Sequence, residues 1–287
     1  MQLVLIGGAQ RSGTTLLQTL LANALDADVL PEVHILCDLL AAYKRAGEAG
    51  RKTQYFYPTD EALLSFFRHC ANRHLADIVD AIGAKPVLVL KDPNLVQVDA
   101  EAVAVFPGVI CIVCLRDPRD IAASFLRIGQ REEPEGSGGK YQRRDVTFIG
   151  KKILASYAPL LRGERGANMH LVRYEEVVTK PAETLARLAR DTGLTLSLEH
   201  IASPVWLEAE ARHNAAWISE LEGQEPSSAS VGAYKSVMGP REIDLIERIC
   251  SPYMAWAGYE PSEKPRARRE WGPISLARGV LNWVRKG

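Results

Sequence analysis

The sequence predicts an α/β fold of three layers, a central parallel β-sheet flanked by helices, and three observations lead there. Short apolar, β-rich runs at residues 3–6, 86–90, 109–115 and 170–174 are too brief for helices, and each is followed by polar residues, as strands buried on both faces are. Stretches suited to helices alternate with them at about 14–25, 59–82, 100–106, 118–127, 151–161 and 180–192. The chain has 287 residues, 47% of them apolar, which is enough to fill the core of one large domain.

The first unit carries the clearest chemistry. The run at 3–6 ends in Gly7-Gly8, and the following helix has apolar residues at 16, 17, 20, 21 and 24. Between them, Gly8-Ala9-Gln10-Arg11-Ser12-Gly13-Thr14-Thr15 has both glycines and the final hydroxyl of G-x-x-x-x-G-K-[ST], with Thr14 in place of the lysine. That lysine and a bound magnesium serve nucleoside triphosphate chemistry, so its absence argues against ATP or GTP hydrolysis. The cradle of backbone N–H groups at a helix start still suits a phosphate-like anion, and Arg11 adds a fixed charge.

After the first helix, Leu30-Pro31-Glu32-Val33-His34 reads as an extended segment with Glu32 and His34 on one side. The run at 86–90 leads into Lys91-Asp92-Pro93. The run at 109–115 leads into Arg116-Asp117-Pro118, where Asp117 and Pro118 suit a helix start, and Ser124 follows Arg116 by eight residues inside that helix. Arg116 and Ser124 can therefore face one anion. In open parallel sheets ligands bind beyond the carboxyl ends of the strands, which is where these residues fall.

Other features are blander. Lysine plus arginine equals aspartate plus glutamate, so overall charge steers the chain toward neither nucleic acid nor membrane. The N-terminal residues form neither a signal peptide nor a transmembrane segment, and a cytoplasmic location is expected. The five cysteines are expected to be reduced thiols; Cys111 and Cys114 lie in a strand without a second ligand pair, so no metal is expected. Residues 132–139 and 222–232 are turn-rich breaks. Lys140, Arg143, Arg144, Lys151 and Lys152 form a basic stretch that suits an acidic peptide or plain solvation. Residues 262–287 form a basic, amphipathic C-terminal tail, with packing on its own core or disorder favoured over contact with acidic lipid or a partner protein.

Arg11 to Thr15 and the segment from Arg116 to Ser124 resemble the 5′-phosphosulfate and 3′-phosphate elements of sulfotransferases that use 3′-phosphoadenosine 5′-phosphosulfate (PAPS). Leu90-Lys91-Asp92-Pro93, together with Val231-Gly232-Ala233-Tyr234-Lys235 through Ala257-Gly258-Tyr259-Glu260-Pro261, is most similar to the tyrosylprotein sulfotransferases, in a bacterial, soluble form. The resemblance implies a P-loop-like domain over 1–261, PAPS as co-substrate without a metal, and a tyrosine-containing, acidic peptide or protein as acceptor. A carbohydrate, lipid or small-molecule hydroxyl is the alternative acceptor. Arg11, Ser12, Gly13, Thr14 and Thr15 would hold the phosphosulfate, with Lys91 supporting Arg11, and Arg116 and Ser124 would grip the 3′-phosphate. Lys235 and a serine among Ser227, Ser228 and Ser230 would close over the donor. Glu32 would be the base, with His34 the competing candidate. A homodimer is left open.

Overall fold

The computed structural model describes residues 1–132, 141, 143–197 and 227–262. Four strands, β1 (Gln2–Gly8), β2 (Val87–Lys91), β3 (Ile110–Leu115) and β4 (Met169–Arg173), form one all-parallel sheet in the order β2-β1-β3-β4. The apolar runs form strands because both sheet faces are covered, so alternate residues pack in opposite directions. Leu3, Leu5, Leu88, Leu90 and Cys111 face α2 (His34–Glu48), α4 (Asp60–Ile82) and α5 (Asp99–Val105), whereas α3 (Arg51–Gln54) buries no residue. Val4, Ile6, Val89, Ile112, Cys114 and Val172 face α1 (Thr14–Leu25), α9 (Tyr174–Thr179) and α10 (Pro181–Thr192). Val113 and Leu115 extend the first face under α6 (Pro118–Glu132), α7 (Val146–Ser156) and α8 (Ala158–Leu161). Two C-terminal helices, which we number α12 (Pro240–Ile249) and α13 (Ser251–Ala257), complete that layer, with the short α11 (Tyr234–Val237) before them.

The register sets the chemistry at one edge. Ile6 is paired with Lys91 and Gly8 with Cys114, and Leu115 with Arg173, so the four strands end side by side. Immediately beyond them come the glycine loop, Asp92, Arg116 and Tyr174. The chain leaves β1 for the face holding α1 and leaves β3 for the opposite face holding α6. Loops that part in this way open a crevice at the carboxyl edge of the sheet.

Two fully buried tyrosines lock this edge. The rings of Tyr157 and Tyr253 stack with centroids 4.3 Å apart. The Tyr157 hydroxyl accepts from the Ala9 N–H (3.1 Å) and donates to the Cys114 carbonyl (2.8 Å). The Tyr253 hydroxyl accepts from the Arg116 N–H (3.2 Å) and donates to the Arg116 carbonyl (3.0 Å). Main-chain groups that the ladder leaves free at the strand ends are thereby paired, as buried polar groups must be.

The helix expected over 151–161 begins earlier, at Val146, where the Asp145 side chain accepts from the Phe148 N–H, and it breaks at Tyr157. The segment around Glu32 is extended only as far as a single bridge between Glu32 and Lys91, and His34 opens α2. Most of the break at 132–139, much of that at 222–232 and all but the first residue of the tail at 262–287 lie outside the described residues. Among those described, no helix is long and apolar enough to cross a membrane.

Tyr157→Phe leaves the Ala9 N–H buried without a partner. An unsatisfied donor of this kind costs about 1–3 kcal/mol, so urea unfolding of the variant is expected to show a lowered midpoint with an unchanged slope.

Candidate active site

The loop from β1 to α1 is shaped by its glycines. A Cβ on Gly13, which has φ 101°, would stand 2.3 Å from the Tyr174 ring. A Cβ on Gly8 would stand 2.6 Å from Ser12 Oγ and 2.7 Å from the Cys114 carbonyl. The Ser12 N–H closes a tight turn onto the Ala9 carbonyl (3.0 Å), and α1 starts at Thr14 with its first N–H groups aimed into the loop's concavity. Among the described residues Ser12 Oγ is buried without a hydrogen-bond partner.

Arg11 stands in the left-handed region at φ 70°, a conformation that costs a non-glycine residue about 1–3 kcal/mol. Its Nε donates to Ser124 Oγ on α6 (3.1 Å), and its carbonyl accepts from Arg116 Nη1 (3.0 Å). The structure thus joins Arg116 and Ser124 through Arg11, which stands between them.

Arg116 is buried at the end of β3, with its guanidinium 4.1 Å over the Tyr174 ring. Nη2 donates to the Ser230 carbonyl (3.0 Å), while Nε is buried without a hydrogen-bond partner among the described residues. The Ser230 hydroxyl is 2.5 Å from the Tyr174 hydroxyl, so of the three candidate serines Ser230 is the one the structure brings to Arg116. Asp120 fastens this closing segment, its two carboxylate oxygens accepting from the N–H groups of Gly232 (2.8 Å) and Tyr234 (3.0 Å). Burial pushes the Asp120 carboxyl above its ordinary range, and the two N–H donors oppose that rise. Arg119, three residues beyond Arg116, is committed to Asp117 (2.6 Å) and Glu247 (2.7 Å) and ties α6 to α12.

On the other side of the glycine loop lies Lys91. Its buried ammonium donates to Thr15 Oγ1 (3.3 Å) and pairs with Glu32 Oε1 (2.9 Å). Glu32 is half-buried. Its other oxygen lies 3.6 Å from His34 Nε2, and His34 Nδ1 lies 2.7 Å from Oδ2 of the fully buried Asp92. Glu32, His34 and Asp92 offer ligand atoms within 4.8 Å of one another. His34 and Asp92 are hydrogen-bonded, because Nδ1 faces Oδ2 at a distance where a proton lies between them, while Oδ1 accepts from the Asn94 N–H (2.8 Å) and Glu32 at 3.6 Å stands just beyond hydrogen-bond length of Nε2.

Other expected residues stand apart. Lys235 is exposed on α11, its Nζ 5.9 Å over the neighbouring Tyr234 ring. In the basic stretch, Arg144 is committed to Glu242 (2.7 Å) and to the Val237 carbonyl (2.7 Å), and Lys140 lies outside the described residues. Cys111 and Cys114, three residues apart on a strand, pack on opposite faces, and burial pushes both thiols up to about 12. Sequence reasoning missed Tyr174, Asp120, the tyrosine pair and the Asp92–His34 contact. Only Asp92, next to Lys91 in an already singled-out segment, offered a signal.

A family model described as the sulfotransferase family matches residues 4–197, about two thirds of the chain. The chain belongs to the sulfotransferase family. Protein-tyrosine sulfotransferase 1 of Danio rerio is 24% identical to this sulfotransferase over 281 residues, covering 92% of this chain and 74% of that protein. The sulfotransferase domain from the curacin biosynthetic pathway shares the fold with a TM-score of 0.58 at 20% identity, covering 90% of this chain and 98% of the domain. The sulfotransferase STF9 of Mycobacterium avium does so with a TM-score of 0.54 at 16% identity, covering 92% of this chain and 78% of the other. These likenesses bear out the three-layer, P-loop-like fold.

Gly13→Ala in this sulfotransferase drives a methyl group into the Tyr174 ring at a backbone angle that disfavours it. Calorimetric titration with adenosine 3′,5′-bisphosphate is expected to show binding weakened by roughly tenfold or more, the loss of one charge-assisted contact, with the fold retained by circular dichroism.

Proposed function

We propose that this sulfotransferase moves the sulfuryl group of PAPS to the hydroxyl of a tyrosine in a peptide or protein, with Glu32 as the base. One observation carries the reading: Glu32, the Lys91 ammonium and Thr15 of the glycine loop stand in direct succession, 2.9 and 3.3 Å apart. A proton acceptor, a cation and an anion cradle in that order are what in-line transfer to a hydroxyl needs. The tyrosine acceptor rests on the likeness to the Danio rerio protein-tyrosine sulfotransferase and on the half-buried carboxylate, since a phenol with pKa near 10 needs a base at neutral pH.

The residues fit the donor. Ser12 Oγ and Arg116 Nε are buried polar atoms without hydrogen-bond partners among the described residues, at the two places where a 5′-phosphosulfate and a 3′-phosphate would bring oxygens. Arg11, Ser12, Gly13, Thr14 and Thr15 would hold the phosphosulfate, with Arg11 and Lys91 countering charge on the departing phosphate oxygen. Arg116, aided by Ser124 through Arg11, would recognise the 3′-phosphate, and Ser230, which the Arg116 guanidinium contacts, would close over the donor. Bound PAPS supplies the activated sulfuryl group, and the protein's own share is to orient it, exclude water and accept the proton. No part of this chemistry requires a metal. Domain limits of 1–261, with 262–287 as a tail, belong to the same reading.

The test is label transfer from sulfur-labelled PAPS, in the presence of a chelator, to tyrosine peptides with acidic or neutral flanks, phenylalanine controls and an oligosaccharide panel. Label confined to tyrosine peptides is expected, with acidic flanks preferred. Label on sugars alone would reject the tyrosine acceptor, and absence of transfer with absence of PAPS binding would reject the donor. Glu32→Gln is expected to lower kcat by roughly 10²–10⁴-fold while leaving binding of adenosine 3′,5′-bisphosphate intact.

A further inference from the structure

We propose that His34, held by Asp92, takes the proton on from Glu32 and passes it to solvent, so that the base of this sulfotransferase is a chain of three groups. The inference rests on Glu32 being the primary proton acceptor. Asp92 is fully buried, and both its oxygens are used, one on the Asn94 N–H and one on His34 Nδ1. With Nδ1 carrying the proton toward that carboxylate, the lone pair of the neutral imidazole is on Nε2, the atom 3.6 Å from Glu32 Oε2. The His34 side chain is 68% exposed, against 28% for Glu32 and 0% for Asp92. The three groups therefore lead from the cleft to water. A small rotation of Glu32 brings 3.6 Å to hydrogen-bond length, a tightening common when substrate arrives.

The charges around His34 favour this direction. Glu32 faces it from the preceding segment, with Lys91 behind, and Asp92 faces it from the end of β2. On its own helix Asp38 is one turn away, and the positive end of α2 works against an imidazolium. Burial pushes the Asp92 carboxyl up, because the site lacks water for its charge. An imidazolium at His34 gives that buried carboxylate a counter-charge at the moment the proton arrives.

The step balances as follows. The acceptor O–H bond breaks as its oxygen bonds to sulfur, and the bond from sulfur to the bridging phosphate oxygen breaks with its electron pair left on phosphate. The proton goes to Glu32, then to His34 Nε2, then to water. His34 touches no reacting atom and is a positioning and relay residue. Asp92 fixes its tautomer.

The experiment compares full-length parent, His34→Gln, His34→Ala and Glu32→Gln in kcat against pH between 5 and 8, with adenosine 3′,5′-bisphosphate binding as the control. His34→Gln can still donate to Asp92 but cannot titrate. It is expected to lose roughly 10–100-fold in kcat, up to the low end of what acid–base groups contribute, and to change the shape of the pH profile, with binding unchanged. Added imidazole is expected to restore His34→Ala in part. A His34→Gln enzyme with the parent's kcat and profile would overturn the relay alone, as would a parent whose activity is lost on chelation through a metal held by these three residues. A Glu32→Gln enzyme as active as the parent would instead sink the assignment of Glu32 beneath it.

Discussion

A guanidinium buried at the end of a strand, with only neutral acceptors in hydrogen-bond contact among the described residues, organises this molecule. Arg116 donates to two main-chain carbonyls and lies on the face of Tyr174, so its position is fixed, while Asp120, the carboxylate that feels its charge, accepts from the Gly232 and Tyr234 N–H groups. Those contacts reach three separate parts of the chain: the glycine loop through Arg11, the closing segment through Ser230, and the start of α9 through Tyr174. Tyr253 fixes the main chain beneath it. A buried guanidinium fixed by neutral acceptors gains when an anion arrives, which is why the proposed function gives Arg116 the 3′-phosphate.

The opposite wall of the crevice follows another logic. Lys91 already has a carboxylate partner in Glu32, and its second contact is a threonine hydroxyl of the glycine loop. In the proposed function, the cation that would bind the donor and the cation that would work beside the base are thus separated across β1, one at the end of β3 and one at the end of β2. This division comes from the strand order, because the central strand carries the loop and its two neighbours each present one charged residue to it.

The strands and the glycine loop were legible because their determinants are local. Runs of β-rich apolar residues buried on both faces form strands whatever their neighbours, and glycine spacing before a helical pattern fixes a loop. The helix at α2 was not legible, since Pro31 and the two-residue spacing of Glu32 and His34 read as extended chain, while the burial of Leu36, Cys37 and Leu40 depends on the distant α4. The break at Tyr157 was hidden for the same reason: its hydroxyl is drawn to the ends of β1 and β3. In the site, Lys91 and Arg116 announced themselves by strand-end position, Arg11 by the glycine loop and Ser124 by its spacing from Arg116. Tyr174 and Asp120 did not, because their roles come from partners 58 and 112 residues away. The basic stretch misled in part, since a run of like charges does not reveal that Arg144 answers Glu242.

The most direct measurement is a metal-free calorimetric comparison of adenosine 3′,5′-bisphosphate with adenosine 5′-monophosphate, on the parent and on Arg116→Gln. If Arg116 is the anchored 3′-phosphate site, the parent prefers the bisphosphate by roughly tenfold or more, the value of a charge-assisted contact, and the variant loses that preference while still binding both ligands. Equal affinities for the two nucleotides in the parent would contradict the account.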